Sequence, residues 1–392
     1  MRTLVVDNGS FAIKCGFADD GSPHTIPNAV TRTRRTKQVL VGDLADSSTD
    51  LAGLYYRTPF ERGYLTRWDV QLAVWDRVLS DRVLACAPGD THLILTEPQF
   101  NFGQIKRSMD EIVFEEYGFA SLVRAPASRL SVLGAGDLIY GGGPAPDCAL
   151  VVDCGHAFTH IVPYAHERAV TAAVRRVDVG GRLLTNYLKE TVSFRYWDMM
   201  DETYIMNAVK EKCCFVSQDF ARDLECARAK RQCPYALEYV LPDFTTSKQG
   251  FIRGPANGAP EGCQLLPLCN ERFAVPEALF HPLDVGIEQL GIHEAVVQAV
   301  GACPEPMRAV LLANIVLTGG TAALPGLAER LQREVQALAT GTVRVVAPDA
   351  PMRWAWRNGC RLAEQPGKWR VTRAQYEEMG GPRTIAHFDS FL

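Results

Sequence analysis

The sequence predicts an α/β protein built of two related domains, and three observations carry that expectation. The apolar run Leu4, Val5, Val6 ends in Asp7-Asn8-Gly9, and the run Ala149 to Val152 ends in Asp153-Cys154-Gly155, the same order begun again 146 positions later. Strand-like and helix-like segments alternate on both sides of the midpoint. Between them, Gly134 to Asp147 is rich in glycine and proline and lacks apolar periodicity, as a hinge would.

Taken in order, Thr3 to Val6 reads as a buried strand and Ile13 to Phe17 as the return arm of a hairpin whose tip carries Asp-x-Gly. His92 to Leu95 is a further strand, and Gln104 to Glu116 places Ile105, Met109, Ile112, Val113 and Glu116 at helical spacing. In the second half, Ala149 to Val152 and Phe158 to Val162 repeat the hairpin. Helical patterns follow at Gly181 to Glu190, Thr203 to Arg222 and Ala322 to Ala339, the last preceded by the strand Asn314 to Leu317. Gly250 to Pro267 is a second stretch without periodicity.

Composition removes several classes of function. With 41 basic and 45 acidic side chains in 392 residues the net charge is −4, which excludes a broadly basic nucleic-acid coat protein. A hydrophobic content of 47% supports packed cores and excludes global disorder. The longest apolar stretch, Ala309 to Leu317, is broken by Asn314, far short of the roughly 20 residues that cross a bilayer, so no membrane association is expected. The N-terminus has no export-like apolar run, which predicts an intracellular protein. The 12 cysteines never form C-x-x-C and are expected as reduced thiols rather than zinc ligands. The sequon at Asn8-Gly9-Ser10 is therefore not expected to carry glycan.

A carboxylate at a hairpin tip, followed by glycine, exposes backbone N–H groups that an anion can approach without obstruction from a Cβ. Asp7, Asn8, Gly9 and Ser10 suit a phosphate, with Lys14 as the cation against its oxygens. Two such hairpins across a cleft would clamp a triphosphate and hold Mg²⁺ through Asp7 and Asp153, a metal that keeps most of its waters. Gly180-Gly181-Arg182 and Thr318-Gly319-Gly320-Thr321 each follow an apolar run and precede a helical pattern, so both present bare backbone to a ligand. A single turn of this kind is an ordinary loop device; four in one chain favour a nucleotide cleft.

These residues, with Gly16-Phe17, Trp68-Asp69, Leu95 to Pro98, Thr159-His160, Val209 to Lys212, Asn270 to Phe273, Gly291 to Glu294 and Pro325-Gly326, resemble actin and its relatives almost from end to end. Within that superfamily Thr96 to Phe102, Tyr164, Gly181 to Leu188, Phe215 to Phe220, Tyr239 to Phe244 and Phe273 to Glu277 are similar to the nuclear actin-related protein 6 subfamily. The resemblance implies an actin-like ATPase fold, two related α/β domains flanking a nucleotide cleft. One domain would be residues 1–133 with 354–392, 29–63 being its outer subdomain. The other would be 134–353, with 180–287 as outer subdomain and an insertion near 244–269. It implies ATP and Mg²⁺ as ligands. Asp7, Ser10 and Lys14 would meet the phosphates, Asp153 and Gly155 would form the second phosphate turn, Gly181, Arg182, Lys210 and Glu211 would surround ribose and base, and Gly319, Gly320 and Thr321 would close the pocket.

The departures from the family pattern bear on catalysis. Ala127 stands where actin has the glutamine that orients the attacking water, and phosphoryl transfer depends on placing that nucleophile. His156 replaces a second carboxylate, which weakens the outer shell of a metal. Phe11 replaces a glycine in the first turn, and Met352 replaces a lysine near the adenine. The expectation is an ATP-binding chain with little or no hydrolysis and no catalytic residues. The segment between Val30 and Gly63 is short by about a dozen residues against actin and lacks the loop that actin inserts into its neighbour, so self-polymerisation is not expected.

The subfamily implies a scaffold subunit of a variant-histone-exchange chromatin-remodelling complex in the nucleus, beside a remodelling ATPase and a zinc-finger HIT-type subunit, with nucleosomal DNA nearby. The competing expectation is an active actin-like ATPase or cytoskeletal filament former, against which Ala127, His156 and the shortened segment weigh. A sugar-kinase-like phosphotransferase would need a catalytic carboxylate with a supporting motif, and none is found. Phe244 to Cys269 reads equally as a partner-docking surface or a tolerated surface loop. Arg32, Arg34, Arg35 and Lys37, and Arg353, Arg357, Arg361, Lys368, Arg370 and Arg373, form basic clusters that suit phosphates or an acidic partner, with a solvated face as the simpler alternative. Trp354, Trp356 and Trp369 suit an interface or, for Trp356, the core.

Overall fold

The computed structural model describes residues 1–34, 36–47, 54–228, 233–243, 249–254, 258, 262–365 and 367–390. Its two main sheets have the same build. In the first, Arg2–Asn8 pairs antiparallel with Ala12–Phe17 and parallel with Thr91–Glu97, with Ser121–Pro126 beyond it. In the second, Cys148–Cys154 pairs antiparallel with Thr159–Ala165 and parallel with Ile315–Thr318. The internal repeat is thus a repeat of topology, and each acidic residue is the second-last of an inner strand of its sheet.

Continuous apolar runs suit strands covered on both faces. Leu4, Val5 and Leu150 to Val152 are fully buried, and their alternate side chains enter different cores. Helix Trp354–Glu364 crosses the first sheet closely: a Cβ on Gly359 would come within 2.6 Å of Val5 Cγ1. Trp354 and Trp356 are both core residues, their indole nitrogens donating to the carbonyls of Ser131 and Val5 at 3.0 and 3.2 Å.

At the cleft end of the first sheet, Arg124 is wholly buried between two carboxylates. Its Nη1 reaches both oxygens of Glu97 at 2.9 and 2.8 Å and its Nε reaches Asp110 at 3.1 Å. Asn101 adds a donor to Glu97 at 2.9 Å, and the Phe388 ring lies 5.0 Å from the guanidinium. Burial pushes the Asp110 carboxyl up to about 7 against the pull of Arg124.

Several sequence expectations need correction. The single helix expected over Thr203 to Arg222 is two, Thr203–Cys213 and Phe220–Arg228. Between them Cys214 turns extended, Val216 donates its N–H to Pro325 O at 2.8 Å, and Ser217 Oγ accepts from the Asp219 N–H, so tertiary and local bonds replace helical ones. The helix expected from Ala322 begins at Leu327, because Gly326 at φ +84° breaks the run. Gln104 to Glu116 starts as the helix Gly103–Glu111 and finishes in a π-turn over Ile112–Glu116. The expected hinge contains a short helix, Ala135–Tyr140, closed by Gly141 at φ +76°. In the aperiodic stretch, Phe251–Ile252 and Leu265–Leu268 are edge strands on Leu237–Val240; residues 244–248, 255–257 and 259–261 of the expected insertion lie outside the described residues.

The C-terminal basic cluster is dispersed: Arg361 pairs with Asp137, Arg373 with Glu377, and Arg357 lies over Trp354. In the other cluster Arg34 pairs with Asp201, and Arg35 lies outside the described residues. All 12 cysteines are free, and no described helix is long and apolar enough to cross a membrane.

Candidate functional site

A cavity of about 340 Å³ lies where the two acidic turns face each other, within the range of small-molecule sites. Asp7, Asn8, Gly9, Ser10, Lys14, Asp153, Gly155, Gly181, Lys210, Glu211, Gly319, Gly320 and Thr321 all line it. Arg182 does not: its side chain is exposed, and its N–H donates to His156 O at 2.8 Å.

Strand register explains the first turn. Asp7 stands directly opposite Lys14, so their side chains share a face, and Lys14 Nζ lies 3.0 Å from Asp7 Oδ2. The other oxygen accepts from Thr96 Oγ1 at 2.9 Å, and that hydroxyl in turn accepts from the Asn8 N–H at 2.8 Å. The Asn8 side chain faces away into a buried amide network with Gln71, Asn28 and the Trp75 indole, and its N–H is taken by Thr96, so Asn8 shapes the turn rather than offering a donor to a ligand. Its burial also leaves no room for a glycan. Gly9 is a steric requirement: a Cβ there would meet Ala12 O at 2.7 Å and Lys14 Nζ at 3.1 Å.

The second turn is tied to the two later glycine turns. Gly155 O accepts from the Gly181 N–H at 3.0 Å and from Thr321 Oγ1 at 2.8 Å. Gly319 adopts φ +94°, and a Cβ on it would come within 2.3 Å of Cys154 O. Lys210 is anchored rather than free: Nζ donates to Gly181 O, Thr185 Oγ1 and Asn207 Oδ1 at 3.1, 2.9 and 2.9 Å, and burial lowers its pKa. Asn207, which sequence reasoning missed, also donates to Glu211 at 2.8 Å. Its spacing to Lys210 and Glu211, three and four residues on one helix, was the available signal. Leu324, Pro351, Met352 and Ala355 add an apolar wall suited to a base, of which only Met352 had been singled out.

Burial and then Asp7 push the Asp153 carboxyl up to about 6. A divalent cation is the partner that lets two such carboxylates ionise together, so this donor set fits Mg²⁺ held largely through waters. Among the described residues no group of three or more His, Cys, Asp or Glu forms a denser metal site. The glycine cradle fits phosphate oxygens. His156 is held neutral at about 3 by burial, then by Lys210, Arg182 and Lys14, and its ring sits 4.8 Å from that of Phe11. His160, also held near 3 by burial, lies on the cavity wall with a buried Nε2 that has no hydrogen-bond partner among the described residues. Ala127, which opens the helix Ala127–Leu133, contributes only a methyl group.

A pH dependence follows. Below about 6 Asp153 holds its proton and offers no charge to a metal, so Mg²⁺-dependent ATP affinity is expected to fall as pH drops from about 7 to about 5, by up to about tenfold per unit. Titration calorimetry on the wild-type and Asp153→Asn chains, which share the titration of ATP itself, isolates the effect. Equal slopes for the two chains would contradict it.

Two sheets of one topology, backing a cleft closed by paired acidic turns and glycine turns, define the actin class of nucleotide-cleft proteins. The chain belongs to the actin family, whose model matches residues 1–387; proteins of this family bind ATP with Mg²⁺. Within the family the similarity lies with actin-related protein 6. The Drosophila melanogaster protein of that name is 38% identical over 96% of this chain and 97% of its own length. The Arabidopsis thaliana actin-related protein 6 is 36% identical over 98% and 99%, and the Cryptococcus neoformans actin-like protein ARP6 39% identical over 99% and 84%.

Proposed function

We propose that this chain is a non-catalytic actin-related scaffold subunit of a nuclear variant-histone-exchange chromatin-remodelling complex, holding ATP as a structural ligand with little or no hydrolysis. The observation that carries the non-catalytic reading is the wall facing the phosphate turns. It keeps Asp7, Lys14, Asp153 and His160 but presents the Ala127 methyl and the Phe11–His156 ring contact in place of the glutamine and second carboxylate of the family pattern. In this reading Ser10 binds phosphate oxygens and Lys14 neutralises charge, while Gly9 and Gly155, whose N–H groups donate to Asp7 O and Phe158 O at 3.0 Å, keep the turns clear of a Cβ so that phosphate can approach. Mg²⁺, held by Asp7 and Asp153, would supply charge neutralisation. Neutral His156 neither accepts a proton readily nor adds a carboxylate to a metal's outer shell.

The remodelling ATPase, the zinc-finger HIT-type neighbour, nearby nucleosomal DNA and nuclear location rest on the subfamily resemblance. So does the absence of filaments, for which the short outer segment before Gly63 is the support. The test is nucleotide content and turnover of the purified protein. Denaturation is expected to release ATP, while added Mg²⁺ and ATP yield no sustained phosphate production. Sustained turnover would return the chain to the active ATPases, and an empty, inert cleft would remove ATP from its function. Affinity purification of the tagged chain from nuclei is expected to recover a remodelling ATPase, and recovery without one would remove the scaffold assignment.

A further inference from the structure

We propose that Tyr64, Phe158 and Arg176 form a clasp across the cleft that sets how long a nucleotide stays bound. The inference rests on the ATP reading above and adds retention residues to it. The hairpin Phe60–Glu61 and Tyr64–Leu65 turns through Arg62 and Gly63, at φ +46° and +77°. Gly63 is where the first half of the chain meets the second: the Phe158 ring occupies the place of its missing Cβ, with Cε1 only 1.8 Å from where that atom would be. Phe158 stands in the second acidic turn, its ring edge-on to His160 at 4.4 Å.

Arg176 completes the contact from the strand Arg175–Val177. Its guanidinium lies 4.3 Å from the Phe158 ring centre and 5.6 Å from that of Tyr64, and its Nη1 donates to Tyr64 Oη at 3.2 Å. The arginine is itself oriented: Nε donates to Asp178 at 2.7 Å, and Asp178 is fixed by Gln289 through its backbone N–H at 2.7 Å and a carboxylate oxygen at 3.0 Å. On the opposite side Tyr64 packs on Phe102 at 4.7 Å, which anchors it to the first half. Phe158 lines the cavity together with Gly63 and His160, and Tyr64 and Arg176 close over it from behind that wall, so the clasp borders the phosphate turns through Phe158. Separating the two halves there means breaking the Arg176–Tyr64 hydrogen bond and cation–π contact, parting the Tyr64 and Phe158 rings, whose centres are 6.4 Å apart, and lifting Gly63 off Phe158. A ligand held behind them leaves only as often as they part.

The test loads the full-length chain with the fluorescent analogue N-methylanthraniloyl-ATP and chases it with excess ATP. Tyr64→Ala and Arg176→Ala are each expected to raise the dissociation rate by about tenfold or more while association changes by less than about threefold. Tyr64→Phe, which keeps the ring and loses the hydrogen bond, should fall near wild type. Dissociation rates equal to wild type in both alanine variants would overturn the proposal. Hydrogen exchange on nucleotide-free protein reads the clasp independently: Arg176→Ala should expose residues 60–65 and 156–160 to faster exchange while the sheets stay protected. Unchanged exchange there would overturn the clasp. A wild-type chain that binds no analogue would overturn the ATP reading and the retention role with it, whatever the exchange data show.

Discussion

An Arg124→Ala chain is expected to lose about 3 to 5 kcal/mol of folding stability. Arg124 is fully buried and is the cation shared by Glu97 and Asp110, whose side chains are 1% and 0% exposed. Removing it leaves two carboxylates facing each other in an apolar interior, held only by Asn101 on Glu97. Protonation offers partial relief, because Asp110 already titrates near 7, so the variant should recover stability as pH falls from about 7 toward 5. The sign follows from a folded-state pKa above the ordinary carboxylate value: the folded chain keeps a proton that the unfolded chain releases, and rising pH through that window favours unfolding. Loss of the guanidinium also frees the Phe388 ring and loosens the C-terminal helix Gly381–Asp389. Denaturant unfolding of wild type, Arg124→Ala and Arg124→Met across pH measures both terms. A cost below about 1 kcal/mol would show that the triad does not hold the sheet together.

The acidic turns were legible because their signal is local. An apolar run ending in Asp-x-Gly fixes a buried strand and a turn within seven residues, and two copies reveal the repeat of topology. Lys14 was legible as the local cation, although its partner is Asp7, which only the hairpin register shows. Arg182 was carried to the site by its neighbours, but it directly follows Gly181 on a helix whose buried face includes Leu184 and Leu188, and that rotation turns it outward. Asn8 lines the cavity, but its side-chain amide is taken by Gln71 and Asn28, residues 63 and 20 positions away, a pairing with no local trace. The break between Cys213 and Phe220 has no glycine or proline to announce it, and depends on Pro325 and Gly326 from the far end of the chain. Tyr64, Phe102, Phe158 and Arg176 are spread over more than a hundred residues. Their meeting is a property of the closed cleft and has no periodic trace.

The double variant Asp7→Ala with Lys14→Ala is expected to lose ATP affinity by at least about a hundredfold while the chain stays folded, each charged contact to phosphate or metal being worth about 1.5 to 3 kcal/mol. The single variants are less clean. Asp7→Ala strands the Lys14 ammonium, whose side chain is only 11% exposed, and Lys14→Ala leaves Asp7 facing Asp153, whose carboxyl Asp7 already pushes up. Either single change therefore carries a cost for an unpaired buried charge that the double change avoids. Thr96 Oγ1 still accepts from the Asn8 N–H in all three, but its own proton loses its acceptor, Asp7 Oδ1, in both chains that replace Asp7, a cost common to those two that cancels in the cycle. Thermal unfolding should accordingly show the double variant more stable than the sum of the singles predicts, a coupling that a double-mutant cycle reads directly. Calorimetry should show binding lost in the same chain. Unchanged affinity in the double variant would remove Asp7 and Lys14 from the phosphate site. Lost affinity with no coupling in stability would mean that the 3.0 Å pair seen across the hairpin contributes nothing to the fold and is maintained for the ligand alone.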